Sequence, residues 1–557
     1  MHLRSAPLPG HVRLHGSRSR GSSGSLSRSE ADVESAVLGY ARTSGFVPAT
    51  NLRGESGGAA WLFLLPSLEL GLVLCVGPPS AAGLRTFAEM ADEVVVCGGR
   101  RERWRVRRCC ARLGLTGIAA LAPGALPKRR ADLIVVSGND PRAADPRLAA
   151  ALRGARAAFF DHAGEPPRRD AHELQVAPAA GEPRVAAADA DSATLAYLQR
   201  SGAAGKGASG SRRAALAAHG VGSGRLRAPV YIQEVAAGFG VDLDEYRVGL
   251  AAPTGYASRK TVMFLFRGDE REPELVVKLA RDPRQNPRLE NEWRALGWLS
   301  DSDVPGVVPR PVFFGHHAGL ALLGETAVAG SPFRSRTSGH SDCPLARGAL
   351  GWLGELGTAT AHPAADNGEV RVALSELSSR FTTLYRMTRT QRLALQRHVD
   401  ALGSGGYSLP LVLQHGDPGT WNLFVGAAGT PAFLDWEAAE RHGMPLWDVF
   451  YFARSFAVTV ARTKGRTSRL GAVRRELLAG GPVNRLLSSA AERQCLDIGL
   501  ERKLVEPLFV TCWMHRALKE ATRLSPARLD GGHYVNLLRL CLDRPDAPGL
   551  RRLYGLS

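Results

Sequence analysis

The chain has 557 residues, of which 44% are hydrophobic and 22% charged, a composition that excludes wholesale disorder and is typical of a folded protein. Its eight cysteines include no C-x-x-C pair, which excludes a disulfide scaffold and argues against a zinc ribbon or a redox motif. The formal net charge is +18, but only seven of the 71 basic residues are lysines. Such a preference for arginine over lysine indicates that much of the positive charge reflects overall composition. A dedicated nucleic-acid partner is therefore not expected.

Residues 1–30 are rich in arginine, serine and glycine and are predicted to form a disordered basic tail. They lack the apolar stretch of a signal peptide. The most apolar segment, residues 59–84, is interrupted by prolines and a glutamate. No membrane span is therefore predicted, and a cytoplasmic location is expected.

Residues 31–165 are predicted to form a domain with a doubly wound parallel sheet, because short apolar runs alternate with helical stretches from about Trp61 to Asp161. Its strands are expected at 72–76, 93–97 and 132–136. The pattern resembles a class I methyltransferase-like Rossmann fold. However, the first turn has one glycine, and the second strand ends at Cys97 and Gly98 instead of at an acidic residue that would bind a ribose. A scaffold without a cofactor is thus favoured over a working cofactor site.

Residues 166–235 are rich in alanine, glycine, proline and arginine and are predicted to be a flexible linker between two domains. The dipeptide at 205–206 is not a P-loop, because the upstream strand and the full spacing are both missing.

The most informative segment follows an apolar run that ends in His415, Gly416 and Asp417. Asn422 comes five residues after Asp417, and a second apolar run ends at Asp435. Phosphoryl transfer from ATP needs one carboxylate to orient the attacking hydroxyl and accept its proton. It also needs an amide oxygen and a second carboxylate to hold magnesium. The segment holds residues of each of these types.

These motifs resemble the aminoglycoside phosphotransferase/choline kinase family, with His-Gly-Asp in place of His-Arg-Asp and Asp-Trp-Glu in place of Asp-Phe-Gly. The resemblance covers about residues 240–550. It implies that Asp417 is the catalytic base, that Asn422 and Asp435 bind the metal, and that the cofactors are ATP and Mg2+. Gly443-Met-Pro-Leu-Trp-Asp448 also looks like this family and would make Asp448 a structural residue at a helix start.

The predicted fold class is therefore α/β plus α+β. A Rossmann-like doubly wound domain precedes a bilobal protein-kinase-like domain over residues 236–557. The amino-terminal lobe of that domain is expected at about 236–328 and the carboxyl-terminal lobe at about 329–557.

A strand at 273–279 would present Lys278 to the α- and β-phosphates of the nucleotide. The helix expected at 289–299 supplies its ion-pair partner. Glu292 is the better candidate because Leu296 and Leu299 follow it at helical spacing, and Glu290 is second.

Two further segments would contact the nucleotide. No G-x-G-x-x-G precedes the lysine, but a hairpin turn carries Gly255 and Ser258, which could offer donors to phosphate. Residues 321–330 look like the strand and hinge between the lobes, where backbone groups from Glu325 to Val328 would meet the adenine.

The function expected is ATP- and Mg2+-dependent transfer of the γ-phosphate to a hydroxyl of a small molecule, such as a sugar or nucleoside. Residues 449–557 hold 19 basic and nine acidic residues, a surplus that favours a neutral or anionic acceptor over a polycationic one. Two alternatives remain open. One is a non-catalytic, nucleotide-binding regulatory protein, and the other is a bifunctional enzyme whose amino-terminal domain transfers methyl groups.

Overall fold

The structure is a computed structural model that describes residues 60–123, 125–137, 146–161, 172–179, 182–187, 194, 197–198, 212–218, 226–251, 260–337, 339–363, 367–404 and 409–556.

The strands are β1 Leu70–Val76, β2 Ala91–Cys97, β3 Ile118–Leu121, β4 Leu133–Ser137, β5 Ala157–Asp161, β6 His172–Ala179, β7 Glu182–Ala187, β8 Arg212–Ala218, β9 Tyr246–Ala251, β10 Lys260–Arg267, β11 Leu275–Ala280, β12 Pro311–His317, β13 Leu320–Thr326, β14 Ser331–Pro332, β15 His362–Pro363, β16 Pro410–Gln414, β17 Leu423–Val425, β18 Pro431–Phe433 and β19 Glu440–Gly443. The α-helices are α1 Ala81–Met90, α2 Arg100–Leu113, α3 Pro146–Gly154, α4 Val230–Ala237, α5 Asn286–Ser300, α6 Phe333–Arg336, α7 Pro344–Ala359, α8 Asn367–Leu384, α9 Arg389–Gly403, α10 Trp447–Thr463, α11 Arg469–Val473, α12 Pro482–Asp497, α13 Val505–Ala521, α14 His533–Asp543 and α15 Pro548–Tyr554.

The first five strands form a parallel sheet in the order β3-β2-β1-β4-β5. Both faces of its central strand are buried. Leu72 and Leu74 pack into one hydrophobic cluster, whereas Val73 and Cys75 pack into another on the opposite face. This burial explains why β1 is a continuous apolar run instead of an alternating one. The parallel sheet supports the doubly wound prediction for this part of the chain.

Strands β6, β7 and β8 lie within residues 166–235, where the sequence predicts a linker. They pair antiparallel with one another and with β5. Their alanine- and arginine-rich sequences carry little of the β-branched and aromatic signal by which strands are recognised. The composition therefore predicts a linker even though part of this segment is ordered by pairing with its neighbours.

Strands β9 to β13 form an antiparallel sheet in the order β12-β13-β11-β10-β9, with helix α5 between β11 and β12 in the chain. Strand β9 also pairs with β7, so thirteen of the described strands make one continuous sheet. One hydrophobic cluster accordingly includes side chains from both halves. Tyr231 of α4 donates a buried hydrogen bond, 2.7 Å long, to the carbonyl oxygen of Phe63 across this boundary.

The part of the chain after β13 is mostly helical, and its core also includes side chains of α5 and β13. Helices α10 and α13 are almost wholly buried in it. The short strands β16 and β18 lie beside helix α7 and end in the loops that carry the acidic motifs, and β17 pairs with β18. Among the described residues, no helix combines the length and apolar character needed to cross a membrane.

Candidate active site

Strand β16 ends in a tight turn at His415, Gly416 and Asp417. Gly416 has a φ of 74°, and a β-carbon there would overlap the carbonyl oxygen of Ala438, so this position requires glycine. The carboxylate of Asp448 accepts hydrogen bonds from the backbone N–H groups of His415 and Gly416, at 2.6 and 3.2 Å. Asp448, in the first turn of α10, thus fixes the shape of the turn.

The turn is linked to the second acidic loop through a buried histidine. The His415 Nε2 atom lies 3.0 Å from the carbonyl oxygen of Leu434, and its Nδ1 atom accepts from the backbone N–H of Asp417 at 3.3 Å. The amide of Asn422 donates to the carbonyl oxygen of Asp417 at 3.0 Å. The structure therefore brings Asp417, Asn422 and the residue before Asp435 together.

The Asp417 carboxylate forms an ion pair that the sequence did not predict. Arg516 of α13 lies 2.9 Å from its Oδ1 atom and also donates to the carbonyl oxygen of Gly416. The guanidinium lies 3.5 Å from the ring centre of Tyr451. Burial alone would raise the pKa of Asp417, but Arg516 and the Tyr451 hydroxyl lower it by more. The carboxylate is consequently ionised at neutral pH.

Asp435 lies in left-handed backbone, with a φ of 70°, and its carboxylate forms an ion pair with Lys260 of β10. Lys260 was not predicted as a site residue. Burial would raise the pKa of Asp435, but Lys260 and Lys278 together lower it to about 2. The Lys260 ammonium also lies 3.2 Å from Glu437 and 3.7 Å from Glu292.

Lys278 and Glu292 form the ion pair that helical spacing suggested, with Nζ and Oε1 2.6 Å apart. The same Oε1 atom accepts from the backbone N–H of Trp436 at 3.0 Å, which connects helix α5 to the residue after Asp435. Glu290 does not contact this lysine and instead lies 3.6 Å from His316 on an exposed face.

Glu325, predicted near the adenine, points its carboxylate at Lys278 across 2.7 Å. Burial raises its pKa to about 7, and Lys278 moderates the rise. Val328 lies just after β13 and is half-buried. Gly255 and Ser258 lie outside the described residues.

Several oxygen ligands suited to a hard divalent cation lie together. The ligating atoms of Glu292, Asp435 and Glu437 fall within 4.8 Å of one another. The Glu292 Oε2 atom is buried and has no hydrogen-bond partner among the described residues. In Asn422 the amide nitrogen is used by Asp417, which leaves the oxygen as the atom suited to a metal. This donor set fits Mg2+.

An arginine contacts Thr420 and Trp421, two residues that follow Asp417 in its loop, and further arginines lie nearby. Arg334 lies over the ring of Trp421, 5.3 Å from its centre, and its Nε is 3.4 Å from the Thr420 hydroxyl. Arg454 is buried and donates to His533 at 3.0 Å. Burial and repulsion from Arg462 lower the pKa of Arg334. Burial and repulsion from other arginines lower the pKa of Arg462. These arginines add positive charge beside the Asp417 loop.

Residues 258–480 match the sequence model of a family described as the phosphotransferase enzyme family. No curated protein matches the chain. The match confirms the predicted resemblance over these residues, and with it the kinase-like character of this mixed α/β region.

Many solved structures are similar to the chain, among them these three. Aminoglycoside phosphotransferase APH(3'')-Id from Streptomyces rimosus is 17% identical, with 53% of this chain and 98% of that chain covered and a TM-score of 0.32. The Plasmodium vivax ethanolamine kinase is 10% identical, with 56% and 84% covered and a TM-score of 0.34. WbdD, solved with the kinase inhibitor LY294002, is 13% identical, with 84% and 88% covered and a TM-score of 0.21.

Proposed function

We propose that this chain is an ATP- and Mg2+-dependent phosphotransferase that transfers the γ-phosphate to a hydroxyl of a small molecule. The observation that carries the proposal is the connection from Lys278 through Glu292 to the backbone beside Asp435. This connection joins the lysine expected to bind phosphates to the carboxylate expected to bind the metal. The family match over residues 258–480 supports the same reaction class.

Each described site residue has a role in this proposal. Asp417 orients the attacking hydroxyl and accepts its proton, while Arg516 fixes the direction of its carboxylate. Lys278, positioned by Glu292 and Glu325, binds the α- and β-phosphates. Asn422 and Asp435 would hold the magnesium ion. When bound, that ion neutralises charge on the phosphate oxygens.

The acceptor proposed is neutral or anionic. A polycationic acceptor would be repelled by Arg334 and Arg462, which already repel one another. A hydroxylated molecule that carries a phosphate or carboxylate would instead be attracted to this face. The charge surplus of residues 449–557 points in the same direction.

The proposal is tested by measuring phosphate transfer from Mg2+-ATP to a panel of neutral, anionic and polycationic hydroxylated acceptors. Asp417→Asn is expected to lower the transfer rate by about 10²–10⁴-fold while nucleotide binding is retained, because a general base is lost. Asp342→Asn provides a matched control, since Asp342 is exposed and pairs only peripherally with Arg347. Transfer by Asp417→Asn at the wild-type rate would contradict the assignment.

A regulatory protein is the second candidate, and one observation favours it: both Asp417 and Asp435 are engaged in ion pairs with cations of the chain. If nucleotide binds but no acceptor in the panel is phosphorylated, and ATP is not consumed, the regulatory interpretation is favoured. Transfer that depends on Asp417 would exclude it.

A further inference from the structure

Lys260, at the first position of β10, is surrounded by carboxylates of the candidate metal site. It is 8% exposed. Its ammonium forms an ion pair with Asp435 and lies 3.2 Å from Glu437 and 3.7 Å from Glu292. These three carboxylates are the same three whose oxygens lie within 4.8 Å of one another. The ammonium therefore contacts the oxygens that a divalent cation would need.

The charges explain why a cation is required here. Three carboxylates this close repel one another strongly in a partly buried site unless a positive charge lies among them. Lys278 neutralises part of the negative charge of Glu292, and the Arg288 guanidinium lies 3.0 Å from the Glu437 carboxylate. Asp435 has Lys260 as its ion-pair partner among the described residues.

The residue type fits this position. An ammonium is a compact point charge that several oxygens can surround, whereas a guanidinium is planar and binds carboxylates edge-on. The chain has only seven lysines among 71 basic residues, and two of them, Lys260 and Lys278, lie in this cluster.

We propose that Lys260 is a built-in counter-cation of the metal site. It holds Asp435 and Glu437 in place when no metal is bound, and it competes with a metal ion for their oxygens. The proposal rests on the metal role proposed for Asp435. It implies that the nucleotide-free protein binds divalent cations weakly, because the ammonium must first lose its carboxylate partners.

The test is a titration of the nucleotide-free full chain with Mn2+. The concentration of free Mn2+ is measured by its electron paramagnetic resonance signal. Lys260→Met is expected to bind Mn2+ at least about tenfold more tightly than the wild type, because a competing positive charge is removed. Lys260→Arg keeps the charge but replaces the compact ammonium with a planar guanidinium, so its Mn2+ affinity should fall between those of the wild type and Lys260→Met. Lys519→Met is a matched control, because this partly buried lysine pairs with the nearby Glu440 at 3.3 Å. Equal or weaker Mn2+ binding by Lys260→Met would overturn the proposal.

Thermal unfolding gives a second measurement. Lys260→Met should unfold at a lower temperature than the wild type without metal and recover most of the difference with Mn2+. In the milder variant Lys260→Gln, the unfolding temperature should change in the same direction as in Lys260→Met. A loss of stability that Mn2+ does not restore in either variant would count against the proposal.

Asp435→Asn separates this proposal from the one on which it rests. If Asp435→Asn loses Mn2+ while the wild type and Lys260→Met bind it equally, only the role of Lys260 is overturned. If Asp435→Asn binds Mn2+ as the wild type does, the metal role of Asp435 fails as well.

Discussion

At the residue scale, Arg516 controls the position and the protonation of Asp417. Its guanidinium donates to the Asp417 carboxylate at 2.9 Å and lies against the Tyr451 ring. We expect Arg516→Ala to lower kcat by about tenfold or more, because the carboxylate is no longer fixed. The acid limb of the pH–rate profile should also move to higher pH, because Arg516 lowers the pKa of Asp417.

The matched variant is Arg516→Lys, which keeps a positive charge but cannot make the same paired contacts. It should recover most of the shift in the pH profile and less of kcat. A pH profile identical to the wild type in Arg516→Ala would show that this arginine does not set the protonation of Asp417.

A second prediction at this scale concerns Glu325, whose pKa is raised by burial to about 7 from an ordinary 4.5. The folded protein therefore binds an extra proton between these values, so the contribution of Glu325 to stability is greatest below about pH 4.5. It is lost as the pH rises through about 7. Glu325→Gln should flatten the dependence of Tm on pH between 5 and 8. Parallel Tm curves for the two proteins would contradict this prediction.

Local spacing predicted some site residues and not others. Glu292 could be found because it lies 14 residues from Lys278, in the next predicted helix. Arg516 and Lys260 lie 99 and 175 residues from the carboxylates they contact, so only the tertiary fold brings them there. The scarcity of lysine was the one available signal for Lys260.

At the scale of elements, the turn after β16 depends on the first turn of α10. Removal of the Asp448 carboxylate would leave two buried backbone N–H groups without their acceptor. Asp448→Ala should therefore lower the free energy of unfolding by about 2–4 kcal/mol. Urea unfolding measures this loss.

Asp448→Asn keeps one acceptor oxygen, and it should lose less stability than Asp448→Ala. If both variants were as stable as the wild type, the carboxylate would not be fixing the turn.

The elements themselves were predictable where the sequence is strongly apolar. Strands β1, β2 and β4 lie at the predicted apolar runs, and α5 includes the predicted helix at 289–299. Strands β3 and β5 were not predicted from the sequence. Both are short and contain two alanines, a residue that carries a weak strand signal.

At the scale of the whole molecule, one sheet joins the two parts that the sequence suggested were separate. Strand β9 would be an unpaired edge without β7, and Tyr231 would lose its contact with Phe63. A fragment of residues 226–557 should therefore have a lower Tm than the full chain and should aggregate through the exposed edge. Differential scanning calorimetry and light scattering measure both effects.

Tyr231→Phe is the mild counterpart of this truncation in the full chain. It removes only the hydroxyl that bonds the Phe63 carbonyl, and it should cost about 1–2 kcal/mol of unfolding free energy. A fragment as stable and as soluble as the full chain would mean that the shared core adds nothing to the kinase-like part.

The pairing of β7 with β9 could not be predicted from the sequence, and the reason is physical. It involves Arg184 with Ala251 and Val185 with Leu250, residues that carry no turn or spacing signal connecting them. Hydrogen bonds between backbones are indifferent to side-chain identity, so a composition typical of linkers does not exclude them.

If the molecule closes around a nucleotide, the continuous sheet predicts which part moves. Because β7 is hydrogen-bonded to β9 and the two halves share a core, the amino-terminal sheet and the strands that carry Lys260 and Lys278 form one frame. When the molecule closes around a nucleotide, the carboxyl-terminal helices should rotate relative to this frame, with residues 327–330 as the hinge. Spin labels placed on β3 and β12 would keep a constant separation when nucleotide binds, whereas labels on β3 and α14 would change theirs.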